Sequence, residues 1–174
     1  MTRIVPVAML AVLGACGGGQ NQPATVAPTR TAQMIDSTGK SIGTASMLDS
    51  RQGPLLVLKL QGVPVGTHGL HVHANGACDP PAFESAGPHL NPASRKHGTR
   101  NPAGPHAGDL PNVRARADGT VDTTLVLPRD LLGTSALGPG APARALVLHA
   151  KADDMMTDPT GNSGSRIVCG VLGK

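Results

Sequence analysis

The chain has 174 residues with no Trp, no Tyr and one Phe, so its core must be aliphatic, filled by Val, Leu, Ile, Ala and Met. The 23 Gly and 16 Pro argue against long helices and favour short strands joined by turns. The formal charge of +4 and pI near 9.3 come from scattered Lys and Arg, with no basic block and no stacking aromatics, which argues against a nucleic-acid partner and suits a small anionic substrate.

The N-terminus reads as a targeting segment. Arg3 precedes the apolar run Ile4 to Leu13, too short to span a bilayer and of the length of a signal-peptide core. Leu13-Gly14-Ala15-Cys16 follows and resembles the lipobox of bacterial lipoproteins, in which the cysteine is lipidated and becomes the mature first residue. Gly17 rather than Asp after it favours the outer membrane of a two-membrane bacterium. Residues 17–29 then form a tether, and residues 30–174 are long enough for one domain with a single core.

Within that domain the alternation of apolar residues predicts strands near 31–36, 41–49, 54–62, 67–74, 112–117, 120–127, 144–150 and 166–171, an all-β fold. Thr38-Gly39-Lys40 and Ala117-Asp118-Gly119 read as hairpin turns. Two segments, 76–111 and 151–165, are too long for a compact meander, and loops of that length are usually functional.

The histidines fall where metal ions would need them. His71 and His73 lie two apart on the strand-like run from Leu70 to Ala74, so both project to one face and can grip one ion, while Leu70 and Val72 face the core. His68, of opposite parity, is expected to bond to backbone. His89, His97, His106 and Asp109, in steps of 8, 9 and 3, lie in a loop too polar to pack alone. Three imidazoles and a carboxylate suit a closed zinc site that supplies the folding free energy the loop lacks. His149 ends the apolar run from Ala145 to Ala150 and can return to the first ion from a neighbouring strand.

Taken in order, GLHVHANG, AGPHLNP, KHG, PHAGDLPN, LHAKADD and GNSGSRIVCGVLG resemble the copper/zinc superoxide dismutase family over roughly residues 30–174. The resemblance implies an eight-stranded Greek-key β-barrel, a family known for its sandwich architecture. It implies copper on His71, His73, His89 and His149, zinc on His89, His97, His106 and Asp109, and His89 as the bridge. Asp153 would link His71 to His97, Asp154 being the more ordinary turn aspartate; such outer partners fix ring orientation. Arg166 would attract and orient superoxide, for which this enzyme is a known example of electrostatic steering, and Thr160 would line the channel opposite it. The implied reaction converts superoxide to dioxygen and hydrogen peroxide by one-electron cycling of copper. A disulfide between Cys78 and Cys169 is implied as well. It would close a loop of about 90 residues, stabilise by roughly 4 kcal/mol in the chain-entropy model and leave Cys16 free for lipid.

The chain departs from the family in a short second loop, where Asp158-Pro159 stands in place of a lysine. Steering is then expected to fall to Lys96, Arg95 or Lys151. The aromatics that pack dimer interfaces in bacterial relatives are missing, which leaves monomer and homodimer both open. Two rival readings are a metal-buffering lipoprotein, which would need neither Arg166 nor a bridging His89, and an adhesion module, which would not account for the joint spacing.

Overall fold

The structure is a computed structural model that describes residues 28–127 and 140–173, with Met1 and Leu137. The signal segment beyond Met1, the lipobox with Cys16 and the tether as far as residue 27 lie outside the described residues.

Among the described residues nine strands follow in chain order: β1 (Arg30–Asp36), β2 (Ser41–Leu48), β3 (Leu55–Leu60), β4 (Gly66–His68), β5 (Leu70–His73), β6 (Val113–Ala115), β7 (Val121–Val126), β8 (Arg144–His149) and β9 (Arg166–Leu172). The one helical element among the described residues is a single 3-10 turn, Glu84–Ala86. Seven strands make one antiparallel sheet in the order β5-β8-β9-β1-β2-β3-β7, and β4 pairs with β6. The expected strand 67–74 is therefore two strands. The break is at Gly69, where N–H donates to Lys151 O (2.8 Å) and C=O accepts from His149 N–H (2.9 Å). A Cβ there would sit 2.9 Å from Ser163 Cβ, so the glycine lets the 151–165 loop close on the strand.

Period-two patterning decides the core. Ala32 and Met34 of β1, Ala45 and Met47 of β2, and Leu56, Leu58 and Leu60 of β3 are buried, while Thr31, Gln33 and Lys59 between them are exposed. Leu70, Val72, Leu146 and Leu148 complete that cluster from the other end of the sheet. Strand β8 is covered on both faces. Ala145 and Val147 turn away from the main core and pack with Phe83, Ala86 and Cys169. The only aromatic of the chain is thus spent on the disulfide loop, which Cys78–Cys169 ties to β9 (Cα–Cα 5.7 Å).

Candidate metal centre

Strand β5 is the outer strand of the seven-stranded sheet, and the 76–111 loop covers its free edge through backbone. Val72 N–H donates to Gly108 O (2.9 Å) and Val72 O accepts from Leu90 N–H (2.8 Å), while Ala74 N–H donates to Pro88 O (2.9 Å). Single bridges then set His89 opposite His73 and Asp109 opposite His71. A polar loop that cannot pack by its side chains is docked by its peptide groups, which also satisfies an exposed strand edge.

On β5 the rings of His71 and His73 take the face opposite Leu70 and Val72. In the β5–β8 register His73 lies across from Ala145 and His71 from Val147, and His149 extends that same row. All of these histidines are buried. The ligand atoms of His71, His73, His89 and His149 lie within 4.8 Å of one another, and so do those of His71, His89, His97 and Asp109. His106 is outside the second quartet at that limit. Its Nδ1 is nonetheless 3.3 Å from Asp109 Oδ1 and 3.4 Å from His89 Nδ1. His71 enters both quartets because its ring lies 4.0 Å from that of His89, centroid to centroid.

Each ring is fixed through one nitrogen and left bare at the other. His71 Nε2 donates to Asp153 (2.8 Å), His73 Nδ1 to Gly87 O (2.8 Å), His149 Nδ1 to Gly164 O (3.0 Å) and His97 Nε2 to Asp153 (3.0 Å). The nitrogens opposite these, His71 Nδ1, His73 Nε2, His149 Nε2 and His97 Nδ1, together with His89 Nε2, are buried with no hydrogen-bond partner. Buried polar atoms are rarely left so, and five imidazole nitrogens converging in two groups are a donor set that fits two ions. His89 Nδ1 points the other way, 3.0 Å from Asp109 Oδ1. His97 Nδ1 is also 3.0 Å from that oxygen without bonding to it. His68 takes no part: its ring nitrogens meet His149 O (2.8 Å) and Pro64 O (2.7 Å).

Electrostatics favour ligand protonation states. Burial pushes His73 down to about 2, against the help of the Gly87 carbonyl. It also takes His149 to about 3, assisted by the neighbouring His71, and His89 to about 4, where the Asp109 hydrogen bond opposes it. Burial alone would raise Asp109, but hydrogen bonds from His89 and the Gly98 N–H, with the charges of His97 and His106, hold it below the usual carboxylate range. Asp153 follows the same pattern, its burial outweighed by His71 and His97.

The site opens into a cleft of about 980 Å³ lined by His89, His106, Arg95, Lys96, Arg144, Asp158, Thr160 and Arg166 among others. Arg166 donates from Nη1 to Phe83 O (2.6 Å) and from Nη2 to Gly87 O (2.8 Å). Gly87 O therefore holds both this guanidinium and His73. Of the three cations expected to steer, Lys151 is not among the lining residues, Lys96 is paired with Asp158 (3.0 Å) and Arg95 donates to Gly104 O. Arg144 does line the cleft, at a position that no motif in the sequence marks.

Other supporting residues were not expected from the sequence either. Asn112 clamps the Asp153 backbone with Nδ2 donating to Asp153 O and Oδ1 accepting from Asp153 N–H, both 2.9 Å. Gly161, at φ +62, passes so close that a Cβ would collide with the Asp153 carboxylate and the His97 ring. The adjoining glycines and asparagine of the GNSG stretch were the available signal, since such residues mark backbone that must approach closely or turn left-handed.

Two adjacent, histidine-rich clusters on an antiparallel β fold, sharing His71 and His89 and each able to hold an ion, define a protein of the two-metal class. The sequence model of the family described as copper/zinc superoxide dismutase (SODC) matches residues 41–172. The chain is 40% identical over 146 residues to superoxide dismutase [Cu-Zn] 2 of Aquifex aeolicus, covering 81% of this chain and 84% of that one. It is 36% identical over 189 residues to the superoxide dismutase-like protein YojM of Bacillus subtilis, covering 99% and 96%. Among solved structures, a SOD-like protein from Bacillus subtilis superposes with TM-score 0.76 at 38% identity over 84% of this chain and 99% of that one. Cu/Zn superoxide dismutase from Brucella abortus gives TM-score 0.69 at 29% identity over 82% and 97%. The chain belongs to the copper/zinc superoxide dismutase family. It is an oxidoreductase of that class, with copper and zinc as its cofactors.

Proposed function

We propose that this chain converts superoxide into dioxygen and hydrogen peroxide with copper on His71, His73, His89 and His149, zinc on His89, His97, His106 and Asp109, and His89 shared between them. The observation that carries this reading is the set of orphaned ring nitrogens, each with its opposite nitrogen either bonded to a fixed acceptor or turned to Asp109. When bound, copper would supply one-electron exchange, and zinc, fixed in oxidation state, would supply positive charge. His89 is the proton carrier. Its Nε2 takes up one proton as a first superoxide loses an electron to become dioxygen, and returns it as a second gains an electron to become peroxide. Water provides the other proton, so two superoxides and two protons give one dioxygen and one hydrogen peroxide. Arg166, held by two backbone carbonyls at the cleft wall, draws the anion in and orients it, and Thr160 narrows the cleft with it.

The reading is tested by reversing the charge of Arg166. With both metals bound, Arg166→Glu should cut the second-order rate constant, Arg166→Lys should lose less, and the wild-type rate should fall as salt screens the field. Equal rates for the three proteins at low ionic strength, with copper content verified, would remove this arginine as the substrate guide.

We further propose that the chain is exported to the cell envelope and lipid-anchored at Cys16 in the outer membrane, defending it against superoxide. The disulfide supports this, because it belongs in an oxidising compartment and leaves Cys16 as the unpaired third cysteine. Cys16→Ser should release the protein from membranes. Retention of that variant after a high-salt wash would contradict the anchor.

A further inference from the structure

Asp158 precedes Pro159 in the loop where the family resemblance implies a lysine, and its carboxylate reaches across to a distant segment. Its Oδ1 accepts from the His97 backbone N–H (2.7 Å), 61 residues away, and its Oδ2 accepts from Lys96 Nζ (3.0 Å), 62 residues away. Oδ1 also lies 3.8 Å from His106 Nε2. That is too long for a direct hydrogen bond but within reach of the carboxylate charge. The other ring nitrogen of His106, Nδ1, lies 3.3 Å from Asp109 Oδ1. One oxygen thus addresses the backbone of one candidate zinc ligand and the ring of another.

As a stabilising ion pair, Asp158–Lys96 counts for little, because the two side chains are 34% and 60% exposed. Both residues line the cleft beside Arg166. There the carboxylate offsets the Lys96 charge that would otherwise draw an anion.

We propose that Asp158 is a positioning residue for zinc, tying the 151–165 loop to His97 and His106, and that it holds the metal at the expense of substrate attraction. The role rests on the two-metal reading above. It explains why a carboxylate is tolerated at the mouth of a cleft meant for an anion.

The test uses the copper- and zinc-loaded protein. Zinc transfer to a chromogenic chelator should be about tenfold faster from Asp158→Ala than from wild type, the low end of what loss of an outer partner does to metal affinity, with copper retained. Lys96→Met, which loses the ion pair but keeps the carboxylate on His97 and near His106, should release zinc at the wild-type rate. Per copper, Asp158→Ala should consume superoxide faster than wild type at low ionic strength, and the gain should vanish as salt is added. Release from Asp158→Ala at the wild-type rate would overturn the proposal. So would release from Lys96→Met as fast as from Asp158→Ala, or no rise in rate at low salt. A wild-type chain that takes up no zinc would overturn the two-metal reading itself, whereas zinc uptake with unchanged release from Asp158→Ala would overturn this role alone.

Discussion

At the scale of single residues, Asp153 joins the two candidate ion sites. Its carboxylate accepts from His71 on one side and His97 on the other, its backbone is held by Asn112, and Gly161 leaves room for it. Asp153→Ala should free both rings at once. Affinity for both metals should then fall, by about 10- to 100-fold if the usual effect of an outer partner applies. Competition titration with a chelator measures it, and unchanged affinities would mean that the two rings are oriented by something else. Parity alone places His71 and His73 on one face, whereas Asp153 is implied only by the family resemblance. The Gly87 carbonyl that serves both His73 and Arg166 left no trace in the sequence, because a backbone acceptor is present at every position and is selected only by the path of the chain.

Among the elements, the disulfide loop matters most to the cleft. Its segment carries Phe83 and Gly87, the two residues that grip Arg166, and it is fastened by Cys78–Cys169 and by Phe83 packed on Ala145 and Val147. Cys78→Ser with Cys169→Ser should therefore cost about 2–5 kcal/mol of stability. It should also lower the superoxide rate more than the copper content, since Arg166 loses its anchors while the rings on β5 and β8 keep theirs. Thermal unfolding, metal content and rate measured on one preparation check both parts, and a rate that falls only in proportion to copper would contradict the second. Strand positions were largely legible from alternation, because β1, β2 and β3 each bury one face and expose part of the other. Strand 67–74 was not, since Leu70, His71, Val72 and His73 are all buried and the break at Gly69 follows from the docking of a distant loop.

For the whole molecule, the metal-free domain stores unprotonated histidines that the unfolded chain would protonate. The folded values, about 2 for His73, 3 for His149 and 4 for His89, lie below the unfolded value of about 6.5. From about pH 6.5 down to pH 4 the unfolded state thus binds more protons, so stability must fall as pH falls. The lowered carboxylates of Asp109 and Asp153 extend the loss to more acidic pH, in the same direction. Denaturant titrations of metal-free protein across that range check the slope, and a flat profile would contradict it. The most direct measurement of the central claim is superoxide consumption by the purified domain after loading with copper and zinc, with both metals quantified on the same sample. The loaded protein should hold one copper and one zinc per chain and consume superoxide rapidly and cyanide-sensitively, and the activity should be lost when copper is removed. A domain that holds both metals and leaves superoxide untouched would contradict it.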